Sequence, residues 1–112
     1  MGWQKQGRIF VPNGEYEWCQ THAALPVVEH LRDDLFRVFF SSRDAKNRAQ
    51  IGYIVIDLNQ PDKILELSPE PVIQVGAAGL FDDSGVTSAC IVTHDEKSYF
   101  YYSGWSLGVT VP

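Results

Sequence analysis

The stretch GLFDDSGV, residues 79–86, sets two adjacent aspartates, Asp82 and Asp83, directly ahead of a strand-like run. Carboxylates at the mouth of an apolar strand can close a turn on their own backbone. Alternatively, one of them can point into a site and orient or protonate a ligand. Asp83 is the candidate for the site and Asp82 for the turn. His22, in THAALP, could contact a hydroxyl or exchange a proton near neutral pH. The stretch SSRDAKNR offers Arg43, Asp44 and Arg48. A guanidinium forks onto a carboxylate or phosphate, and Arg43, nearest the preceding strand, is the best placed of the three. Trp18 and Trp105 carry indole faces that either stack on the CH face of a sugar or fill a core.

Other chemistries find little footing. No His/Cys/Asp cluster has metal-ligand spacing. Gly76 and Gly79 form no phosphate loop, since no helix or lysine follows them. No cofactor is expected. Cys19 and Cys90 stand far apart and read as two partly buried structural thiols. A net charge of −5 with no basic stripe argues against a nucleic-acid partner. No run reaches the roughly 18 apolar residues of a membrane helix. The start MGWQKQGRIF has no apolar core of a secretory signal. A cytoplasmic location with free thiols is the expectation.

The 112 residues suffice for one modest domain, able to bury roughly 65% of its unfolded surface. Helical periodicity is scarce, and Pro26 interrupts the one stretch that resembles it. Residues 24–31 read as extended. LFRVFFSS, residues 35–42, is aromatic and β-branched, hence a strand. RDDL between them closes a hairpin. AQIGYIVIDL, residues 49–58, is a third strand, and ILELS with PVIQV supplies a short fourth edge. Pro69 and Pro71 keep that last piece from being a central strand. After the loop GAAGLFDDSG, a second hairpin, VTSACIVTH and KSYFYYSGW, turns at HDEK. LGVTVP reads as one more apolar strand-like piece.

The two hairpins repeat one pattern. Each runs from two apolar residues through a polar one and a histidine to a charged turn, then an aromatic strand ending in serine. Phe39-Phe40-Ser41 falls on Tyr101-Tyr102-Ser103, an offset of about 62 residues. A meander repeat near this period predicts propeller blades of about four strands each. The expected fold is therefore all-β: a four-stranded antiparallel blade over about 1–75, with the N-terminal segment, and an incomplete second blade over 76–112.

The order GRIFVPNGEYEW, THAALPVV, FRVFFSSRDAKNRAQIGYIVIDL, FDDSGV, YYSGWSLGVTVP resembles the N-terminal part of bacterial five-bladed β-propeller glycosidase-like proteins. These are the furanosidase-like and arabinosidase-like enzymes together with the mannoside phosphorylases. The resemblance spans nearly the whole chain. It implies a truncated five-bladed propeller, with a full-length relative roughly three times as long and about three or more further blades. It implies sugars held where the innermost strands begin, between carboxyl groups about 5 to 10 Å apart. Asp83 matches the second-blade acid of such proteins. The first-blade position falls at Thr21 or His22, where the usual aspartate is absent, and the third-blade glutamate would lie beyond Pro112.

The expectation is thus a glycosidase-like fragment, not catalytic alone, with weak carbohydrate binding at His22, Arg43, Asp83 and Trp105. Open strand edges predict a homo-oligomer, a dimer first. The alternative is a glycoside hydrolase or phosphorylase whose site is completed by other subunits or by missing blades. Asp83 is then the candidate catalytic group.

Overall fold

The computed structural model describes residues 2–5 and 7–106. LGVTVP therefore lies outside the described residues. The described residues are all-β and form six strands: β1 (Thr21–Arg32), β2 (Leu35–Arg43), β3 (Ala49–Asp57), β4 (Glu66–Leu67), β5 (Gly85–His94) and β6 (Lys97–Trp105).

β2 and β3 form the centre because their residues are apolar on both faces. A strand buried on one side only would alternate. Here Phe36, Val38, Phe40, Ile54 and Ile56 face one layer, and Phe39, Ile51 and Tyr53 face the other. The N-terminal segment covers the first layer with Ile9, Phe10, Tyr16, Trp18 and Cys19. Trp18 is core rather than ligand platform: its Nε1 donates to the Ser68 carbonyl at 2.9 Å and its ring packs 5.5 Å from that of Phe40. Gly52 makes room for it, since a Cβ there would meet the indole at 2.2 Å. Burial pushes the Cys19 thiol pKa up, so this cysteine stays protonated and inert.

The hairpin β5–β6 covers the second layer. Val86 and Ile51 are fully buried there, with Val27, Ile73, Ile91 and Phe100 around them. Fully burying an aliphatic side chain of this size is worth about 1.5–3 kcal/mol. Ser88 fastens the hairpin to the first meander: its N–H donates to Ser41 Oγ at 3.3 Å and its hydroxyl to the Leu25 carbonyl. At the hairpin tip, Asp95 and Glu96 both hold left-handed backbone, φ 50° and 64°. That is the two-residue turn whose twist matches paired strands.

β1, β2, β3 and β4 form an antiparallel meander, with residue 73 adding one isolated bridge to Ile51. β5 joins β3 in parallel through the single pair Ala49–Gly85, giving one mixed, open sheet ordered β1-β2-β3-β5-β6. Glycine at 85 lets the two strands and the Trp105 ring meet at one point.

Of the two cysteines, Cys90 is exposed, contrary to expectation. The cause is a bulge between Ser88 and Cys90. It inserts one residue into the alternation, so Ile91 turns inward while Cys90 and Val92 face out.

Candidate functional site

One row of pairings crosses five strands: Thr21 with Arg43, Arg43 with Ala49, Ala49 with Gly85, and Gly85 with Trp105. It is the end of the sheet where β1, β3 and β5 begin and β2 and β6 finish. All four sequence candidates lie in this row or within two residues of it.

Three of the four converge. Trp105 stands over Gly85, where a Cβ would meet the indole at 2.4 Å. The Arg43 guanidinium lies over the same indole, 5.7 Å from its centroid, and its Nη1 donates to the carbonyl and to the side-chain oxygen of Asn47, at 3.2 Å each. A cavity of about 270 Å³ opens beside them, lined by Lys46, Asn47, Arg48, Asp83, Ser84 and Trp105.

The two aspartates divide their tasks. Asp82 is buried, with its carboxylate against the backbone of Gly76 and its carbonyl accepting the Gly76 N–H at 2.9 Å. It closes the loop. Asp83 lines the cavity. Its Oδ2 accepts the Gly79 N–H at 2.9 Å and its Oδ1 the Ser84 hydroxyl at 3.1 Å. Gly79 reaches it from left-handed backbone, φ 93°, a conformation open to glycine. The Gly79 N–H first, and then the Ser106 and Ser84 hydroxyls, hold the Asp83 carboxyl below the usual carboxylate range. Asp83 is therefore an ionised acceptor at neutral pH and has no proton to give.

His22 stays apart from this cavity. It is exposed, with Nδ1 2.8 Å from Thr21 Oγ1, and holds left-handed backbone, φ 68°, inside an irregular stretch of β1.

Arg48, which the sequence ranks below Arg43, lines the cavity, and so does Lys46, which the sequence does not single out. The organiser is Asp44, 5% exposed. It accepts the N–H groups of Lys46 and Arg48, Arg48 Nε and Gln50 Nε2, at 2.9, 2.9, 3.0 and 2.9 Å. Burial alone would raise the Asp44 pKa, but the Arg48 N–H, the Arg48 charge and the Lys46 N–H outweigh it and bring it below the ordinary value. The signal available in the sequence was the Asp-x-x-x-Arg spacing across a tight loop.

Among the cavity's lining residues Asp83 is the one acid, whereas glycoside cleavage uses two carboxyl groups on either side of the bond. The arrangement suits binding: an aromatic wall, two cations, an ionised acceptor and neutral hydrogen-bonding groups. Among the described residues no group of three or more His, Cys, Asp or Glu side chains could hold a metal ion. No helix among them is long and apolar enough to cross a membrane.

No family model matches the chain, and no solved structure matches it. It is 49% identical over 112 residues to the uncharacterized proteins MT1551 and Rv1502 of Mycobacterium tuberculosis. The match takes in all of this chain but 38% of each relative, so the chain spans well under half the length of the curated proteins it is similar to.

Proposed function

We propose that the chain supplies the first blade and the opening hairpin of the second blade of a glycosidase-like five-bladed β-propeller. In this reading it binds carbohydrate in the groove between loop 43–48 and loop 76–85, self-associates, and does not by itself cleave glycosidic bonds. The observation that carries the reading is the pairing row from Thr21 to Trp105. It gathers Arg43, Asp83 and Trp105 at the end where β1, β3 and β5 begin, and propeller glycosidases hold sugars where their innermost strands begin. The antiparallel meander β1 to β4 supports a four-stranded blade, and the β5–β6 hairpin packed on its face supports the start of the next.

A second reading makes the groove one wall of a glycoside hydrolase or phosphorylase site completed by further blades or by another subunit. The greater length of the M. tuberculosis relatives favours it.

A glycan array probed with the labelled chain, together with a panel of activated aryl glycosides, tests both. The first reading expects glycan binding that is lost in Trp105→Ala and Asp83→Asn, with no turnover above background. Turnover abolished by Asp83→Asn would establish the second reading instead. Absence of binding to any saccharide would overturn the first reading.

A further inference from the structure

We propose that this groove selects saccharides that carry an anionic group, a carboxylate or a phosphate ester, and that Arg48 and Lys46 receive the anion. The proposal rests on the carbohydrate-binding reading and specifies its ligand.

The argument begins with charge. Of the nine Lys and Arg residues in a chain of net charge −5, three fall in the six-residue stretch 43–48. The one acid in that stretch, Asp44, does not offset them at the surface. It is buried, and its oxygens are taken up by Lys46 N–H, Arg48 N–H, Arg48 Nε and Gln50 Nε2. The other acid at the groove, Asp83, spends its oxygens on Gly79 and Ser84 of its own loop and on Ser106 just after β6. The cavity lining thus holds two cations, Lys46 and Arg48, against one carboxylate already engaged. Arg43 adds a third positive charge at the Trp105 ring.

Geometry sharpens the point. Asp44 grips Arg48 by Nε alone, which fixes the guanidinium plane while its two terminal amino groups make no hydrogen bond among the described residues. Its side chain remains 35% exposed and lines this cavity as well as a second one beside Glu17, Trp18 and Glu70. A guanidinium held in this way presents a pre-set fork, the geometry that matches a carboxylate or phosphate in two-point contact. Lys46 beside it is exposed and adds a compact charge without a fixed direction.

Desolvation then discriminates. A neutral sugar laid over Arg48 and Lys46 strips water from two cations and returns only weak acceptors. A sugar with an anionic substituent returns a charge-assisted pair. The cavity, about 270 Å³, lies just below the roughly 300–1,000 Å³ of typical ligand pockets. It therefore suits a single terminal sugar ring rather than a long stretch of chain.

The test is isothermal titration of the full chain with methyl glycosides of glucose, galactose and mannose, the corresponding methyl uronides, the hexose 6-phosphates, and inorganic phosphate alone. Each is measured at low and at physiological salt. One charged series is expected to bind roughly tenfold or more tighter than the neutral glycosides, with the margin shrinking as salt rises. Whether uronides or hexose phosphates lead identifies the source of the anion. The preference should fall toward unity in Arg48→Gln. Lys46→Gln, at an exposed position that holds nothing in the core, gives the same readout if Arg48→Gln fails to fold. Equal affinity for neutral and charged sugars overturns the proposal and leaves the carbohydrate reading standing. Inorganic phosphate binding as tightly as the hexose phosphates also overturns it, because the sugar then contributes nothing. Binding of no saccharide, charged or neutral, overturns both.

Discussion

Asp44 holds Arg48 through a 3.0 Å contact from Nε to Oδ2, and the same buried carboxylate accepts the backbone N–H groups of Lys46 and Arg48 at 2.9 Å. One acid therefore closes the β2–β3 loop and orients the cation that faces the groove.

Replacing this carboxylate should cost stability in a pH-dependent way. In Asp44→Asn the amide oxygen can still accept from the backbone at the Oδ1 position, but its NH₂ then takes the Oδ2 position and faces both Arg48 Nε and Gln50 Nε2, donor against donor. A loss of about 1–3 kcal/mol is expected, the cost of leaving buried donors unsatisfied. The Asp44 pKa is lowered on folding from the ordinary value of 3.8. Its ionised form therefore stabilises the fold fully above that value, and the contribution fades as pH falls through the lower folded-state pKa. The stability gap between wild type and Asp44→Asn should be constant from pH 5 to 8 and narrow below about pH 4. Urea unfolding across this range checks it. A gap that does not change with pH would mean the carboxylate's charge plays no part.

Gly52 and Gly85 both lie under tryptophans, yet the same substitution should affect them differently. A Cβ at Gly52 would meet the Trp18 ring at 2.2 Å and Ser68 Oγ at 2.7 Å, inside a packed layer where the ring is pinned by its Nε1 bond. Gly52→Ala should lose about 1–3 kcal/mol by overpacking. At Gly85 the clash is with Trp105, a half-buried ring at the end of its strand. That indole can swing outward, so Gly85→Ala should lose less stability. It should instead shift tryptophan fluorescence and weaken the glycan binding proposed for the groove by dismantling the Arg43–Trp105 wall. Thermal unfolding and emission spectra of both variants decide the matter. The reverse ranking of the two variants would contradict the assignment of Trp18 to the core and Trp105 to the groove.

The sequence was legible where side chains alone decide conformation. β2 and β3 declare themselves by aromatic and β-branched residues, and the turns at Asp33 and at Asp95-Glu96 by short polar pairs between apolar runs. The strand and turn pattern also places a second hairpin after the loop with Asp82 and Asp83. It could not reveal that Gly85 would join Ala49 and fuse both hairpins into one sheet, because that contact depends on a missing side chain and on residues far apart in the chain. The segment around Ile9, Phe10 and Trp18 has no periodicity, yet it closes a whole layer of the core. The bulge after Ser88 is silent in sequence, and it alone decides that Cys90 and Val92 face outward. At the site, residue type pointed to Asp83 and Trp105. Choosing between Arg43 and Arg48 required knowing that Asp44 folds back under the loop.

The same bulge sets up the final prediction, that the chain is a dimer through β6. β6 ends the strand path, so among the described residues its outer backbone groups have no strand partner. Pairings Cys90–Tyr101 and Val92–Tyr99 place these four side chains side by side on the outer face of the hairpin. Val92, Tyr99 and Tyr101 are 47%, 45% and 52% exposed. An edge of this kind normally carries charges, a proline or a covering segment, and β6 has Lys97 alone as a charged residue. Pairing with the β6 of a second copy would satisfy the edge and cover part of this apolar face, and a twofold arrangement is the commonest closed solution. Sedimentation equilibrium over a wide concentration range should report a dimer, with Tyr101→Lys shifting the equilibrium toward monomer. That substitution sits on an exposed face and should leave the thermal unfolding of the monomer nearly unchanged, within about 0.5 kcal/mol. A monodisperse monomer at tens of micromolar would rule the dimer out. A dimer indifferent to Tyr101→Lys would move the interface to the other end of the path, β1, where Leu25 and Val28 are 53% and 55% exposed.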